Sequence, residues 1–213
     1  MSTGWLECMP MLRKSAKDVI DGLNVTKDLL PFDIRGIDTD CGSEFINYEL
    51  LDYCEERQIT FTRARTHRKN DQAHVEEKNG SVIRRLVGYD RYEGLKAWER
   101  LACLYKILRQ YVNIFQPSLK LLSKERLGAK VSKKYDKAKT PYQRILLSSH
   151  INDSVKKRLT FEYKNLDPVN LLDKIQKLQD SLWNVAWNKK AQVDNELTVN
   201  KASFLNTPTE YSD

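Results

Sequence analysis

Two acidic residues, Asp40 and Glu76, are of the type that holds divalent cations in phosphodiester chemistry. Asp40 stands at the end of an apolar stretch just before Gly42, and thirty-five residues separate it from Glu76. Two divalent ions about 3.5–4 Å apart can stabilise the attacking and leaving oxygens of phosphodiester transfer, and such hard ions take carboxylate ligands. An isolated acid in so charged a chain is more often a turn cap or a solvated surface group. The pair therefore needs elements that bring it together.

The spacing of apolar residues predicts such elements. Residues 32–39 predict a strand with Asp40 at its carboxyl end, where open α/β sheets place ligands. Further along, Glu76, Ile83 and Val87 recur at helical spacing, so the Glu76 carboxylate faces the same way as the apolar side chains. A helix packed on the sheet through that face would carry Glu76 toward Asp40.

The other segments predict alternating helix and strand. Residues 4–11 have the pattern of a short strand, residues 12–23 that of an amphipathic helix, and residues 59–63 that of a half-buried strand. Residues 95–112 predict a long amphipathic helix. A heptad-like apolar seam over residues 171–185 is short, which favours packing within the chain over a coiled-coil dimer.

Five collinear blocks resemble the DDE-type integrase-core transposases of bacterial insertion sequences, which are similar to retroviral integrases. The D-x35-E spacing of Asp40 and Glu76 is that of the family, and the resemblance extends from Gly4 to about Ala186. The blocks are residues 39–45, 59–63, 69–79, 84–94 and 135–144.

The resemblance implies an α/β fold, with a ribonuclease-H-like integrase catalytic core followed by a mainly helical, basic C-terminal region. It also implies DNA integration and transposition, in which the DNA is cleaved and joined by metal-dependent strand transfer. Asp40 and Glu76 would then be the catalytic residues and the ligands of Mg²⁺ or Mn²⁺.

The resemblance is incomplete on the amino-terminal side of Asp40. The family has a third acid on the first strand of its sheet, and no residue before Asp40 matches it. We therefore expect a truncated transposase whose core lacks its first two strands, and a two-metal site only in a complete core. Cys41 stands where the family usually has asparagine, and Gly80, where it has a bulky residue, costs a helix about 1 kcal/mol. Strand transfer by this chain alone is not expected.

The predicted domain organisation follows the resemblance and the changes in composition. Residues 1–94 are expected to form the partial catalytic core, and residues 95–116 a long helix packed on it. Residues 117–145 would be a basic DNA-binding segment, residues 146–188 a helical region and residues 189–213 a disordered tail.

The charge distribution favours a nucleic-acid partner. The chain of 213 residues has a formal net charge of +7, and the segment from Ser118 to Arg144 has nine Lys or Arg against two acids. Such a surface suits phosphate contacts, although a solvated basic linker has the same composition. The residues expected to contact DNA are Arg65, Lys69, Asn70, Arg84, Arg85, Lys120, Lys130, Lys133, Lys134, Lys137 and Arg144.

The expected partners are double-stranded DNA, as element ends and as target, and further copies of the chain in a homodimer or a higher synaptic oligomer. The four cysteines lack C-x-x-C spacing, which favours reduced thiols in a cytosolic protein. The resemblance implies the bacterial cytoplasm, in association with the nucleoid. No segment has the ~20 apolar residues that span a bilayer. Two alternatives stay open: a non-catalytic DNA-binding remnant of a transposase, and a ribonuclease-H-like nuclease that cuts without joining.

Overall fold

The computed structural model describes residues 3–40, 42, 45, 48–64 and 82–186. Their mixture of helices and strands confirms the coarse expectation of an α/β protein, and the tail predicted at residues 189–213 lies outside them. The elements, in chain order, are α1 (Ala16–Leu29), β1 (Gly36–Thr39), α2 (Tyr48–Glu56), β2 (Thr60–Arg63), α3 (Arg84–Val87), α4 (Gly94–Phe115), β3 (Leu121–Leu127), β4 (Lys130–Tyr135), α5 (Pro141–Leu147), α6 (Asp153–Asn165) and α7 (Pro168–Trp183).

The first part of the fold is a parallel β1–α2–β2 unit. The two strands pair side by side, from Gly36 opposite Thr60 to Thr39 opposite Arg63. Helix α2 lies in the connection between them, because parallel strands cannot be joined by a tight turn. Helix α1 packs on α2 through a small apolar cluster whose buried members are Val19, Leu50, Tyr53 and Cys54.

Side-chain caps determine where several helices begin. Ser15 accepts a hydrogen bond from the Asp18 N–H at the start of α1, and Asp167 caps α7 in the same way. At the start of α5, Thr140 and Gln143 cap each other's backbone N–H groups. Each cap satisfies donors that have no partner within the helix, so these starts are encoded locally in the sequence.

Residues 4–11 contain no strand, so the strand predicted there was wrong. A strand needs a neighbouring strand for its N–H and C=O groups, whereas this segment uses side chains of α4. Asn113 accepts a hydrogen bond from the Leu6 N–H at 2.8 Å and donates one to the Leu6 C=O at 2.7 Å. Trp98 Nε1 donates to the Pro10 C=O at 2.8 Å. The Asn113 amide thus takes the place of a strand partner.

An ion pair joins the same segment to two helices. Arg109 of α4 donates from Nε to the two carboxylate oxygens of Glu7, at 3.0 and 2.8 Å, and from Nη2 to the Leu29 C=O at 2.9 Å. The Glu7 side chain is only 4% exposed. Because the last carbonyls of α1 have no partner within that helix, Arg109 satisfies one of them while it neutralises a buried charge.

The second part of the fold is organised by the packing of α4 on α7. The predicted seam over residues 171–185 packs within the chain, as its short length suggested. Although α4 is long, neither it nor any other helix in the described ranges is long and apolar enough to cross a membrane. The buried side chains between α4 and α7 are Leu104, Leu108, Val112, Ile175 and Leu182, and Val87 of α3 belongs to the same apolar cluster.

Strands β3 and β4 form an antiparallel hairpin within the segment that the sequence identifies only as basic. Gly128, in the two-residue turn, has φ of 61°, and Ala129 does not have a positive φ. A positive φ at the first turn residue alone is the type II′ pattern, which suits the twist of a hairpin. A further bridge between Ser118 and Lys139 extends the pairing at the open end. Both strands are exposed along almost their whole length.

Replacing Asn113 by alanine tests the docking of residues 4–11 on α4. The change leaves the part-buried N–H and C=O groups of Leu6 without partners, so we expect the free energy of unfolding to fall by about 1–3 kcal/mol. Urea unfolding followed by circular dichroism measures the difference. Asn170→Ala, at an exposed position of α7, is the matched control and should change stability by less than about 0.5 kcal/mol. An Asn113→Ala protein as stable as the wild type would contradict this docking.

Candidate functional site

Asp40 lies immediately beyond β1, at the carboxyl edge of the parallel strand pair. The Ala64 N–H donates to the Thr39 C=O at 2.8 Å, so backbone pairing reaches this edge. The Asp40 side chain is exposed, and its Oδ1 accepts a hydrogen bond from the Gly42 N–H at 2.9 Å. An ionised carboxylate has about four acceptor positions. Asp40 can therefore cap the turn and still bind a cation.

Glu76, the partner predicted for Asp40, lies outside the described residues. Arg65, Lys69 and Asn70, from the predicted DNA contacts, lie outside them as well. Within the part of the chain that the structure describes, no three or more His, Cys, Asp or Glu side chains are grouped so as to hold a metal ion. The convergence of Asp40 and Glu76 stays a prediction.

Asp38, two residues before Asp40, takes part in the pairing of β1 with β2. Thr62 lies directly opposite it and donates from Oγ1 to Asp38 Oδ1 at 2.8 Å. Such cross-strand side-chain pairs stabilise a sheet. The two acids of this edge therefore differ, since Asp38 bonds to the neighbouring strand and Asp40 to its own turn.

Arg84 and Arg85 are presented to solvent by α3. Both side chains are exposed, and the Arg84 guanidinium lies 5.9 Å from the centre of the Tyr89 ring, within cation–π range. Gln179 of α7 donates from Nε2 to the Leu86 C=O at 2.8 Å. This hydrogen bond fixes the short helix against the second part of the fold. The two arginines are thus exposed cations on an anchored support.

The hairpin register sorts the basic side chains of β3 and β4 onto two faces. Lys124 stands directly opposite Lys133, and Arg126 stands opposite Val131. Because directly opposed residues share a face and side chains alternate along a strand, these four lie on one face. Lys130 and Lys134 lie on the other face, and all these basic side chains are exposed.

Lys124 and Arg126 are absent from the DNA contacts predicted from the sequence. Their positions beside Lys133 follow from the hairpin turn at Gly128, which sets the register of both strands. The signal that could have found them is Gly128 itself, a turn residue between two stretches rich in basic residues. The charge count alone did not reveal which cations share a face.

Arg144, also predicted to contact DNA, has partners inside the protein. Its guanidinium donates to both carboxylate oxygens of Asp136 and, at 2.8 Å, to the Ser118 C=O. The Lys120 N–H donates to Asp136 Oδ1 at 2.6 Å. These bonds tie the open end of the hairpin to α5, so the geometry favours a structural role for Arg144. The side chains of Lys120 and Lys137 are exposed.

Two of the described cysteines, Cys8 and Cys54, are unsuited to nucleophilic chemistry. Burial, and to a lesser degree the charge of Glu7, raises the pKa of the Cys8 thiol to about 12. Burial also raises the pKa of Cys54. A reactive cysteine needs the opposite shift, because the thiolate is the nucleophile. Cys8, Cys54 and Cys103 are free thiols, and Cys41 lies outside the described residues.

The chain is similar over a substantial length to a protein of Sinorhizobium fredii. Over 144 residues the chain is 44% identical to the protein named "Uncharacterized protein y4rM" of Sinorhizobium fredii (strain NBRC 101917 / NGR234). The match covers 68% of this chain and 41% of that protein, so the chain spans about two fifths of the relative's length. No protein-family model matches the chain. The name of the relative assigns it no activity.

Asp136→Asn tests the ion pair at the base of the hairpin. The hydrogen bonds from Arg144, and then from the Lys120 N–H, lower the pKa of Asp136 from 3.8 to about 2. A lowered pKa in the folded state means that the ionised group stabilises the fold above pH 4 and loses this effect as the pH falls toward 2. The Tm of Asp136→Asn should therefore lie below that of the wild type at pH 7, and the difference should narrow between pH 4 and pH 2.

Thermal unfolding across pH 2–7 measures this difference. Asp33→Asn removes the same charge at an exposed position and serves as the control. Its Tm should stay close to that of the wild type at neutral pH. A difference between Asp136→Asn and the wild type that is constant from pH 7 to pH 2 would contradict the role of Arg144.

Proposed function

We propose that this chain acts in DNA integration, as part of a ribonuclease-H-like transposase core that binds double-stranded DNA. Asp40 and Glu76 would be the metal-binding acids of a centre for phosphodiester cleavage and strand transfer. One observation carries the proposal: an exposed Asp40 stands at the carboxyl edge of a parallel strand–helix–strand unit. Open α/β sheets bind their ligands at such edges. The collinear blocks around Asp40 and Glu76 add to it.

The donor chemistry of this edge fits a hard divalent cation. Asp40 offers carboxylate oxygens, of which one accepts a single hydrogen bond from Gly42, and Glu76 would offer two more. Mg²⁺ or Mn²⁺, when bound, would stabilise the attacking and leaving oxygens of the phosphodiester. A pair of ions would need a further acid, and no residue before Asp40 matches the one that the resembled family uses.

Double-stranded DNA is the proposed partner, as element end and as target. Exposed cations lie on α3, at Arg84 and Arg85, and along the β3–β4 hairpin. Contacts between such cations and phosphates position a protein on DNA without reading the base sequence. Copies of the chain would assemble as a homodimer or a larger synaptic complex, because integration joins two element ends to one target. The proposed setting is the nucleoid of the bacterial cytoplasm.

A second candidate is a non-catalytic DNA-binding remnant of a transposase. The hairpin favours it, since its exposed lysines could contact phosphates without any contribution from Asp40. The two candidates differ in one respect that can be measured. Only the catalytic one requires that the Asp40 carboxylate bind a metal ion.

Binding of Mn²⁺ to the purified chain, followed by the loss of the free-ion electron paramagnetic resonance signal, distinguishes the candidates. Even outer-shell partners of metal ligands contribute about tenfold or more to metal affinity, so Asp40→Asn and Glu76→Gln should each weaken binding by at least that factor. Asp33→Asn is the charge-matched control and should bind Mn²⁺ as the wild type does. Fluorescence anisotropy with a labelled duplex, at about 50 mM salt, measures DNA binding by the same proteins.

Each outcome selects one interpretation. Mn²⁺ binding that depends on both acids, together with duplex binding that Asp40→Asn leaves intact, supports the catalytic proposal. If the chain binds the duplex but its Mn²⁺ binding is absent or does not depend on Asp40, the result favours the non-catalytic remnant. A chain that binds no duplex even at low salt would overturn both candidates.

A further inference from the structure

The two faces of the β3–β4 hairpin have different charge balances. The face that carries Lys124, Arg126, Val131 and Lys133 has three cations and no acid, and we call it the lysine face. On the opposite face, Glu125 pairs with Ser132. Its diagonal neighbours across the strands are Lys130 and Lys134, which lie within reach of long side chains. The opposite face is thus partly neutralised within the hairpin, and the lysine face is not.

The uncompensated charge includes a directly opposed pair. Lys124 and Lys133 are register partners, and directly opposed residues in an antiparallel pair have Cβ atoms about 4.5–5.5 Å apart. Like charges in this arrangement destabilise a sheet. The hairpin has two strands only and is exposed on both sides, so little packing offsets this repulsion. The free protein therefore holds two cations together at a cost to its own stability.

The hairpin is nevertheless firmly held at its open end. Asp136 accepts hydrogen bonds from Arg144 and from the Lys120 N–H, and the Ser118–Lys139 bridge lies beside them. This network attaches the strands to α5, which fixes the direction in which each face points. Arg126 also donates from Nε to the Gly128 C=O at 3.1 Å, so one cation of the lysine face is oriented by the turn.

We propose that the lysine face is the surface of the hairpin that contacts the phosphate backbone of duplex DNA. The opposite face then does not contact it, so Lys130 and Lys134, which the sequence placed among the DNA contacts, are excluded from them by this proposal. An anion lying across Lys124 and Lys133 turns their repulsion into attraction to a shared partner. Closely spaced phosphates are such a partner, because duplex DNA carries one negative charge per about 1.7 Å of its axis. The inference rests on the proposed DNA-binding function and adds which cations carry it.

The proposal predicts opposite effects of one change on stability and on binding. Removing the charges of Lys124 and Lys133 relieves the repulsion, so hydrogen exchange of the hairpin amides in the free protein should slow by about two- to fivefold. The same change removes two phosphate contacts, so the slope of log K against log salt should become shallower by about 1.8. A merely structural role for the two lysines would not produce both effects.

The experiment compares two double variants of the full chain. Lys124→Gln/Lys133→Gln changes the lysine face, and Lys130→Gln/Lys134→Gln removes the same charge from the opposite face of the same hairpin. Anisotropy with a random-sequence duplex, from about 50 to 200 mM salt, gives the affinity and the salt slope. We expect the lysine-face variant to bind about 10- to 100-fold more weakly, and the control to change by less than about threefold with an unaltered slope. Poly-glutamate serves as a competitor of different chemistry.

Several results would overturn the assignment. Equal losses in the two double variants would show that the hairpin contributes charge without a preferred face. Wild-type affinity in both variants would place DNA elsewhere on the chain, and poly-glutamate binding as tight as duplex binding, with the same dependence on Lys124 and Lys133, would assign the face to an acidic protein. A wild-type chain that binds no duplex would overturn the proposed function itself, together with this inference.

Discussion

The burial of helix α4 on several sides is the constraint on which the rest of the structure depends. One side packs on α7 through Leu104 and Leu108, and the carboxyl-terminal end packs on α5 and α6 through Ile114. A further side holds the N-terminal segment through Asn113 and Arg109. A fully buried leucine contributes about 1.5–3 kcal/mol, so the apolar contacts provide most of the stability. The polar contacts fix how these segments are oriented on α4, because a buried polar group without a hydrogen-bond partner destabilises the fold.

The candidate DNA-binding surfaces are attached to this scaffold by hydrogen bonds. The hairpin joins α5 through Arg144 and Asp136, and α5 in turn packs on α4 through Tyr142 and Ile145. The short helix with Arg84 and Arg85 is tied to α7. Each exposed cation thus stands on an element whose orientation is set by buried contacts. Exposed charge on such supports can meet a partner without first losing much conformational freedom.

The sequence predicted helices well and the remaining elements less well, for physical reasons. The helices bury one apolar stripe each, and a 3.6-residue period is visible over many residues, as in residues 95–112 and 171–185. The β3–β4 hairpin buries neither face, so no alternation of apolar and polar residues marks its strands. Residues 4–11 show a strand-like pattern, but their backbone bonds go to Asn113 and Trp98. A side-chain partner far away in sequence leaves no periodic signal.

The position of Asp40 could be predicted from the sequence, because it depends only on neighbouring residues. An apolar stretch followed by Asp40 and a glycine turn was enough to place this acid at a strand end. The faces of the hairpin were not predictable from the charge count, because they depend on a register fixed by one turn. Glu76 belongs to the predicted pair on sequence grounds, and it lies outside the described residues.

The structure adds a distinction between acids that the sequence treats alike. Asp40 and Asp136 both lie in blocks from which the sequence predicts a transposase, residues 39–45 and 135–144. Both oxygens of Asp136 accept hydrogen bonds from Arg144, and Oδ1 also accepts one from the Lys120 N–H, so its acceptor positions are largely used and its pKa is lowered. Asp40 is exposed and accepts a hydrogen bond from the Gly42 N–H on Oδ1. A carboxylate must have acceptor positions to spare before it can ligate a cation, and on this criterion Asp40 is the suited acid of the two.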